Sequence, residues 1–448
     1  MQQMETTPAA DALSEPEGTA YRGAFVYVGN LARVREAFGP RCASEFSAQI
    51  ARRLGAFTCD PARQIAQVGD DCLVLWLPQD GEAAEDILEQ LMVQAGSRPM
   101  RIDGRDFVPA LHAGWTELQT DAPRPLSADE SSYVLYASAS HSTLCAAMWR
   151  GHADRFQADM EIAAGIARAH ADERIECEWQ GVISPYSPVN VLYWRGVARP
   201  SSQAAEVHLA SPEVFMPSLE RLGLTRVLDR AQALQVFGRL LRDPSLRLAC
   251  RISSMSVQKD HYWSQLLALL AAHPAAAGRF TLEISGRTAL PSLDEARDFC
   301  TAVRERGARI AMAGFGSGPI NLEGLQACNP HTLLLDDSFV LRGRHNPDAR
   351  RALRDMIRIC SHLAEQIVVA GVENEQDYSN ALRAGARWMC GRFVNGASFD
   401  PAKAFAQKAE DKWISAASPA RAAAARRGAR TEPAFHAAPA IVAWGFAG

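Results

Sequence analysis

The sequence predicts an α/β protein in two parts: a small α/β domain, then a (β/α)8-type barrel. Three observations carry this. Through the second half, seven apolar runs of strand type alternate with helical patterns over about 220 residues, the rhythm of parallel strands joined by helical crossovers. A shorter unit with only three strand-type runs precedes them. The composition, 48% hydrophobic and 22% charged over 448 residues, is that of packed domains, and the length suits two or three of them.

Taken in order, residues 1–20 are rich in Pro, Glu, Thr and Ala and read as a disordered leader; they have neither the basic start nor the apolar core of a signal peptide. The first domain is expected over 21–140. Its strands are "AFVYVG" (24–29), "CLVLWLP" (72–78) and "FVPALHAGWTEL" (107–118), and Ile87, Leu88, Leu91 and Met92 fall on one face of a helix between the last two. Residues 141–178 are periodic and charged and read as a connecting helix. The barrel is expected over 179–408, with strands at 189–198, 246–253, 280–285, 309–315, 332–337, 366–372 and 387–393. The remainder, 409–448, reads as a disordered Ala/Arg-rich tail: fourteen of the 34 residues from Ser415 are alanine and four are arginine.

Composition excludes several classes. A net charge of −4 gives no electrostatic footprint for nucleic acid. No apolar run approaches the ~20 residues that span a bilayer. The ten cysteines form no CxxC pair and the eleven histidines no HExxH, so the expectation is reduced core thiols in a cytoplasmic protein, with no metal and no cofactor.

One stretch carries a contradiction. "RIAMAGFGSGPINLEGL" (309–325) runs from a buried strand into a glycine-rich loop built like an active-site loop, yet Ala313 and Gly314 at the strand end bear no reactive group.

From about Gly181 to Lys408 the chain resembles the EAL domain family, bacterial phosphodiesterases that hydrolyse cyclic di-GMP on a barrel. "FMPSLERLGL" (215–224) is similar to that family's FIPLAEETGL, "LRLACRISSMSV" to its VNLSARQL strand and "FTLEISG" to its LEITE strand. "MAGFGSG" is similar to its DDFGTG loop, "HTLLLDDSFV" to DTLKIDRSFV, and "VVAGVENEQDYSNALRAGARWMCGRFVNGA" to AEGVET…QGYLFGRP. The first domain resembles, more faintly, the GGDEF family, which makes cyclic di-GMP from GTP: "QVGDDCLVLWLP" (67–78) stands where that family has YGGDEFALLLP.

The resemblance implies a two-metal hydrolase whose carboxylates sit at the C-terminal ends of barrel strands. Carried over residue by residue, those positions are mostly occupied by other residues. The Glu of the EAL triplet falls on Arg195, the metal-binding Asn on Arg251, the Asp pair on Ala313 and Gly314, and the Lys on Leu334. A Glu falls on Ala370 and a Gln on Cys390. Only Glu283 and Asp336 match, with Glu373 a weaker match. Two arginines where cations belong repel metal by several kcal/mol at ~4 Å, so no catalytic residue is expected. In the first domain the strand-end Asp falls on Tyr27, a second on Gly29 and the guanine-reading Asn on Arg35. The signature turn keeps Gly69, Asp70 and Asp71 after Val68, and near Cys59 the inhibitory RxxD is missing.

The resemblance also implies a phosphate contact at Arg199, while the guanine-contacting Gln falls on Ser184. Arg195, Arg251, Glu283 and Asp336 complete the candidate nucleotide-binding set, the arginines being able to pair with phosphate oxygens directly; the alternative is that they pair with Glu283, Asp336 or water. The expected function is therefore a catalytically silent GGDEF–EAL protein that regulates through an unidentified protein partner, with homodimerisation in keeping with the family. The alternatives are a receptor that binds cyclic di-GMP without hydrolysing it, and an active phosphodiesterase.

Overall fold

The computed structural model describes residues 20–56, 65–79, 81–148, 153–200 and 211–394. The expected leader up to residue 19, the tail 409–448, the last stretch of the barrel region and Cys59 lie outside the described residues.

The first domain is a four-stranded antiparallel sheet in the order β2-β3-β1-β6, built from β1 (Tyr21–Val28), β2 (Ile65–Gln67), β3 (Cys72–Pro78) and β6 (Leu111–Thr120). A two-stranded ribbon, β4 (Met100–Ile102) with β5 (Arg105–Phe107), lies apart from it. Alternation sorts the side chains of β1 and β3 between two faces. Ala24, Val26, Val28, Leu73, Leu75 and Leu77 face helices Pro40–Gly55 and Gly81–Gly96, while Phe25, Tyr27, Cys72 and Val74 face Val134 of helix Ala128–Met148.

The barrel is closed and eight-stranded. Its strands are β7 (Ile175–Ser184), β8 (Ser187–Pro200), β9 (Leu248–Ser253), β10 (Phe280–Ser285), β11 (Arg309–Phe315), β12 (Thr332–Leu335), β13 (Gln366–Val369) and β14 (Trp388–Met389). From β8 to β14 neighbours run parallel, as the alternation predicts. The first domain has β2 and the β4–β5 ribbon beyond the three strands expected, and the start of the barrel region needs two further corrections. The expected connecting helix over 141–178 is two helices, Ala128–Met148 and Ala153–Ala171, followed by β7. And β7 is an eighth strand, antiparallel to both its neighbours and joined to β8 by a tight turn with no intervening helix. The signal was present: Glu176 and Glu178 alternate with buried Cys177 and Trp179. The charged helix just before it masked a period of two.

Along the barrel strands one set of side chains (Leu248, Cys250, Leu282, Ile284, Ile310, Met312, Leu333) packs outward with Phe237, Trp263 and Phe299 of the surrounding shell. The alternate set faces the lumen, where Val182, Tyr193, Ala249, Ala311, Ala313, Leu334, Val368 and Cys390 form a second cluster.

The two domains share one core. Phe46, Phe107, Leu88 and Leu111 of the first cluster with Phe156 and Met160 of helix Ala153–Ala171 and with Phe215, Leu219, Leu228 and Tyr262 of the barrel. Polar contacts fix the fit. Glu89, 3% exposed, accepts from Arg230 Nε at 2.6 Å and from the Gln265 backbone N–H at 3.0 Å. Asp159 accepts from Ser218 Oγ at 2.8 Å and from both arms of Arg221 at 2.6 and 2.7 Å. Burial pushes the Glu89 carboxyl up, opposed by Arg230, so this carboxyl depends on its partner to stay charged.

Replacing Glu89 with Ala strips the Gln265 N–H of its acceptor and leaves Arg230 only Gln265 Oε1, at 2.7 Å. The expected loss is about 2–4 kcal/mol in unfolding free energy, read by urea denaturation followed by far-UV circular dichroism. An unchanged midpoint would show that the apolar contact holds the domains together without it.

Candidate functional site: the barrel lumen and its cleft

Glu283 sits mid-strand on β10, beside Arg251 on β9 and Ala311 on β11, and is fully buried. A lone carboxylate there would be prohibitively costly. Arg195 answers it. Its Cα is level with Ala249 and Thr281, one layer nearer the N-terminal ends, and its side chain reaches up to make a bidentate fork. Nε donates to Glu283 Oε2 at 2.8 Å and Nη2 to Oε1 at 2.6 Å, the geometry that suits guanidinium to carboxylate. Nη1 donates toward Gln180 Oε1 and Cys390 Sγ, both at 3.4 Å. Burial alone would raise the Glu283 carboxyl and lower the Arg195 guanidinium; mutual attraction reverses both, leaving Glu283 below and Arg195 above its ordinary value.

Arg251 is the third member. Its Nε stands 3.8 Å from Glu283 Oε1 and its Nη2 3.5 Å from Ser285 Oγ, so it holds a remote share of a carboxylate already forked by Arg195. Burial lowers its proton affinity, and neighbouring arginines add to that.

The other expected residues stay apart from this cluster. Arg199 pairs with Glu178 across the β7–β8 hairpin. Asp336 caps the turn after β12, accepting from the Ser338 N–H at 3.0 Å; burial would raise it, but its hydrogen bonds hold it below the usual value. Glu373 pairs with Arg392. Ala313, Leu334, Ala370 and Cys390 lie together in the apolar lumen cluster. In the glycine loop Gly314 stands at φ +77° and Gly316 at φ +98°, conformations that glycine alone adopts freely.

The donor set does not fit a pair of divalent cations. Both Glu283 oxygens are taken by a guanidinium, and the neighbouring lumen positions carry methyl, isobutyl and thiol groups. Among the described residues no three His, Cys, Asp or Glu side chains are placed to share a metal ion.

In the first domain Gly69, Asp70 and Asp71 form the hairpin turn between β2 and β3, closed by the Val68 N–H to Cys72 C=O bond at 3.0 Å. Asp70 pairs with Arg35 at 2.6 Å. Tyr27 is buried in the apolar layer under helix Ala128–Met148.

Sequence reasoning missed a cleft at the C-terminal ends of β8, β9 and β10. Arg251, Arg287, Glu220, Asp229, Ser253 and Ser285 line it. Glu220 and Asp229 lie on helices Pro212–Leu222 and Thr225–Arg242; an acid at the helical spacing of the buried residues was the available signal.

The EAL domain model matches residues 166–397, just over half of the 448. This chain belongs to the EAL domain family. The cyclic di-GMP phosphodiesterase PdeF of Escherichia coli is 25% identical to it over 190 residues, 42% of this chain and 25% of that protein. The cyclic di-GMP phosphodiesterase NbdA of Pseudomonas aeruginosa is 21% identical over 376 residues, 79% and 45% of the two chains. The chain thus spans between a quarter and just under half of the length of the curated relatives it matches. Among solved structures, the FimX EAL domain from P. aeruginosa bound to c-di-GMP superposes with a TM-score of 0.47 at 20% identity, covering 54% of this chain and 97% of that one. Among the described residues of this EAL protein, no helix is long and apolar enough to cross a membrane.

Removing the carboxylate with Glu283→Ala should destabilise the barrel by about 3–5 kcal/mol, because a buried guanidinium loses its fork. The double change Arg195→Met with Glu283→Leu should recover most of that loss, since the two effects are strongly coupled. Chemical denaturation of the three variants decides it; a loss below about 1 kcal/mol for Glu283→Ala would mean that water reaches Arg195.

Proposed function

We propose that this EAL protein is a catalytically silent regulator in cyclic di-GMP signalling, acting through a protein partner rather than by turnover. The Arg195–Glu283 fork carries the reading. It places a fixed cation on Glu283, and the surrounding positions carry a second arginine, Arg251, and the apolar Ala313, Leu334, Ala370 and Cys390. We read residues 21–140 as a degenerate GGDEF-like domain and 179–408 as the EAL barrel, with the catalytic motifs of both lost. The buried Tyr27 and the Arg35–Asp70 pair support this for the first domain. A soluble protein surface, including that of a second copy, is the partner class such a scaffold would serve.

A second reading has its own observation. Arg251 opens onto the cleft with only distant partners, so the barrel would hold a phosphate of cyclic di-GMP there without metals. Arg199, paired with Glu178, is the weaker candidate for that contact.

Purified full-length protein incubated with cyclic di-GMP and Mg²⁺ or Mn²⁺ is expected to form no linear dinucleotide. Product that disappears in Glu283→Ala would overturn catalytic silence. Calorimetry with cyclic di-GMP separates the two readings: no heat favours the protein-binding scaffold. Heat that falls ten- to a hundredfold in affinity in Arg251→Ala favours the receptor, a charge-assisted hydrogen bond being worth ~1.5–3 kcal/mol.

A further inference from the structure

The cleft has walls of opposite character. On the strand side stand Arg251 and Arg287; on the helix side stand Glu220 and Asp229. Both carboxyls are buried, 7% and 2% exposed, and one residue joins them. Ser253 donates its backbone N–H to Asp229 Oδ2 at 2.9 Å and its hydroxyl to Glu220 Oε1 at 3.1 Å. Ser256 Oγ donates to Asp229 Oδ2 at 2.6 Å, and Thr225 Oγ1 lies 3.0 Å from Ser256 Oγ. These donors to Asp229 are a neutral amide and a neutral hydroxyl, which offset ionisation far less than a guanidinium does.

The charges around Asp229 come from every side. Its own helix supplies Arg226, which pairs with Asp260, and Arg230, which turns away to Glu89. Helix Pro212–Leu222 supplies Glu213 and Glu220, while its Arg221 is held by Asp159. The strands supply Arg251, Glu283 with its Arg195 fork, and Arg199 paired with Glu178. Arg287 follows β10, and the thiols of Cys177 and Cys250 are kept protonated by burial. Burial pushes the Asp229 carboxyl up to about 7, the serine hydrogen bonds opposing and Glu220 adding to the rise. Burial raises Glu220 as well.

We propose that Asp229, with Glu220 beside it, makes anion binding in this cleft proton-dependent: a phosphate-bearing ligand seats on Arg251 when the helix-side carboxyl is protonated and is repelled when it ionises. The proposal rests on the receptor reading of the cleft and names its regulation. An anion next to Asp229 raises the proton affinity of that carboxyl, so binding takes up a proton and affinity falls as pH rises through about 7. If only the protonated form binds, affinity drops about tenfold from pH 6 to pH 8.

The test is calorimetry of the full chain with cyclic di-GMP at pH 6, 7 and 8, in buffers of different ionisation heat. The wild type is expected to bind about tenfold more weakly at pH 8 than at pH 6, with net proton uptake. Asp229→Asn keeps the acceptor for the Ser253 N–H and should bind at both pH values as the wild type does at pH 6. Glu220→Gln should weaken the pH dependence. Binding that is pH-independent and unchanged in both variants would overturn the proton linkage and leave the receptor reading standing. No heat at any pH, in the wild type or in Asp229→Asn, would overturn the receptor reading and the linkage with it.

Discussion

A carboxylate at the closed centre of a barrel has to be answered by a cation, and in this protein the cation is covalent. Glu283 has no access to water, and Arg195 reaches it with both arms of its guanidinium. Everything around the pair follows from that choice. With the charge neutralised in place, Ala313, Leu334, Val368 and Cys390 fill the neighbouring lumen positions as a packed core. Arg251, one strand over, arrives at a carboxylate already occupied and is left facing outward to the cleft. Such a pair is weak evidence for net stability, since two well-packed apolar groups can do as well. Its consequence is geometric: it holds β8 to β10 through the lumen and sets the orientation of the guanidinium.

The same economy appears between domains. The barrel and the antiparallel sheet share one continuous apolar cluster, and the charges within it, Glu89 with Arg230 and Asp159 with Arg221, each meet a guanidinium. Helix Thr225–Arg242 therefore has two duties. One face presents Leu228, Asp229 and Gln232 to the cleft, and Arg230 on another presents its guanidinium to the first domain. A change in the cleft and a change at the domain junction act on the same rigid element.

Asp229 and Glu220 in the cleft are held by serines rather than arginines, and burial pushes both carboxyls up, while the lumen carboxylate, forked by Arg195, is held below its ordinary value. Asp229 and Glu283 are both buried acids yet shift in opposite directions, chiefly because Glu283 is forked by a guanidinium while Asp229 meets neutral donors.

Much of this was legible in the sequence. Period-two and helical patterns located seven barrel strands because each strand buries one face in the lumen and the other under helices. Comparison with the family pattern drew attention to Arg195, Arg251, Ala313, Leu334, Ala370 and Cys390, which the structure places in or beside the lumen. The turn at Gly69–Asp71 was readable as a polar hairpin because turn chemistry is local. Closure of the barrel decided the rest. β7 closes the sheet as an antiparallel eighth member between β14 and β8; the alternation after Ile175 marks a strand, but not the neighbours it pairs with. Which arginine takes Glu283 was settled across 88 positions of chain, by which side chain could reach up one layer of the barrel. Glu220 and Asp229 meet only at Ser253, 33 and 24 positions away. Local sequence sets which face of an element is buried; only the packed structure decides which charges that burial brings together.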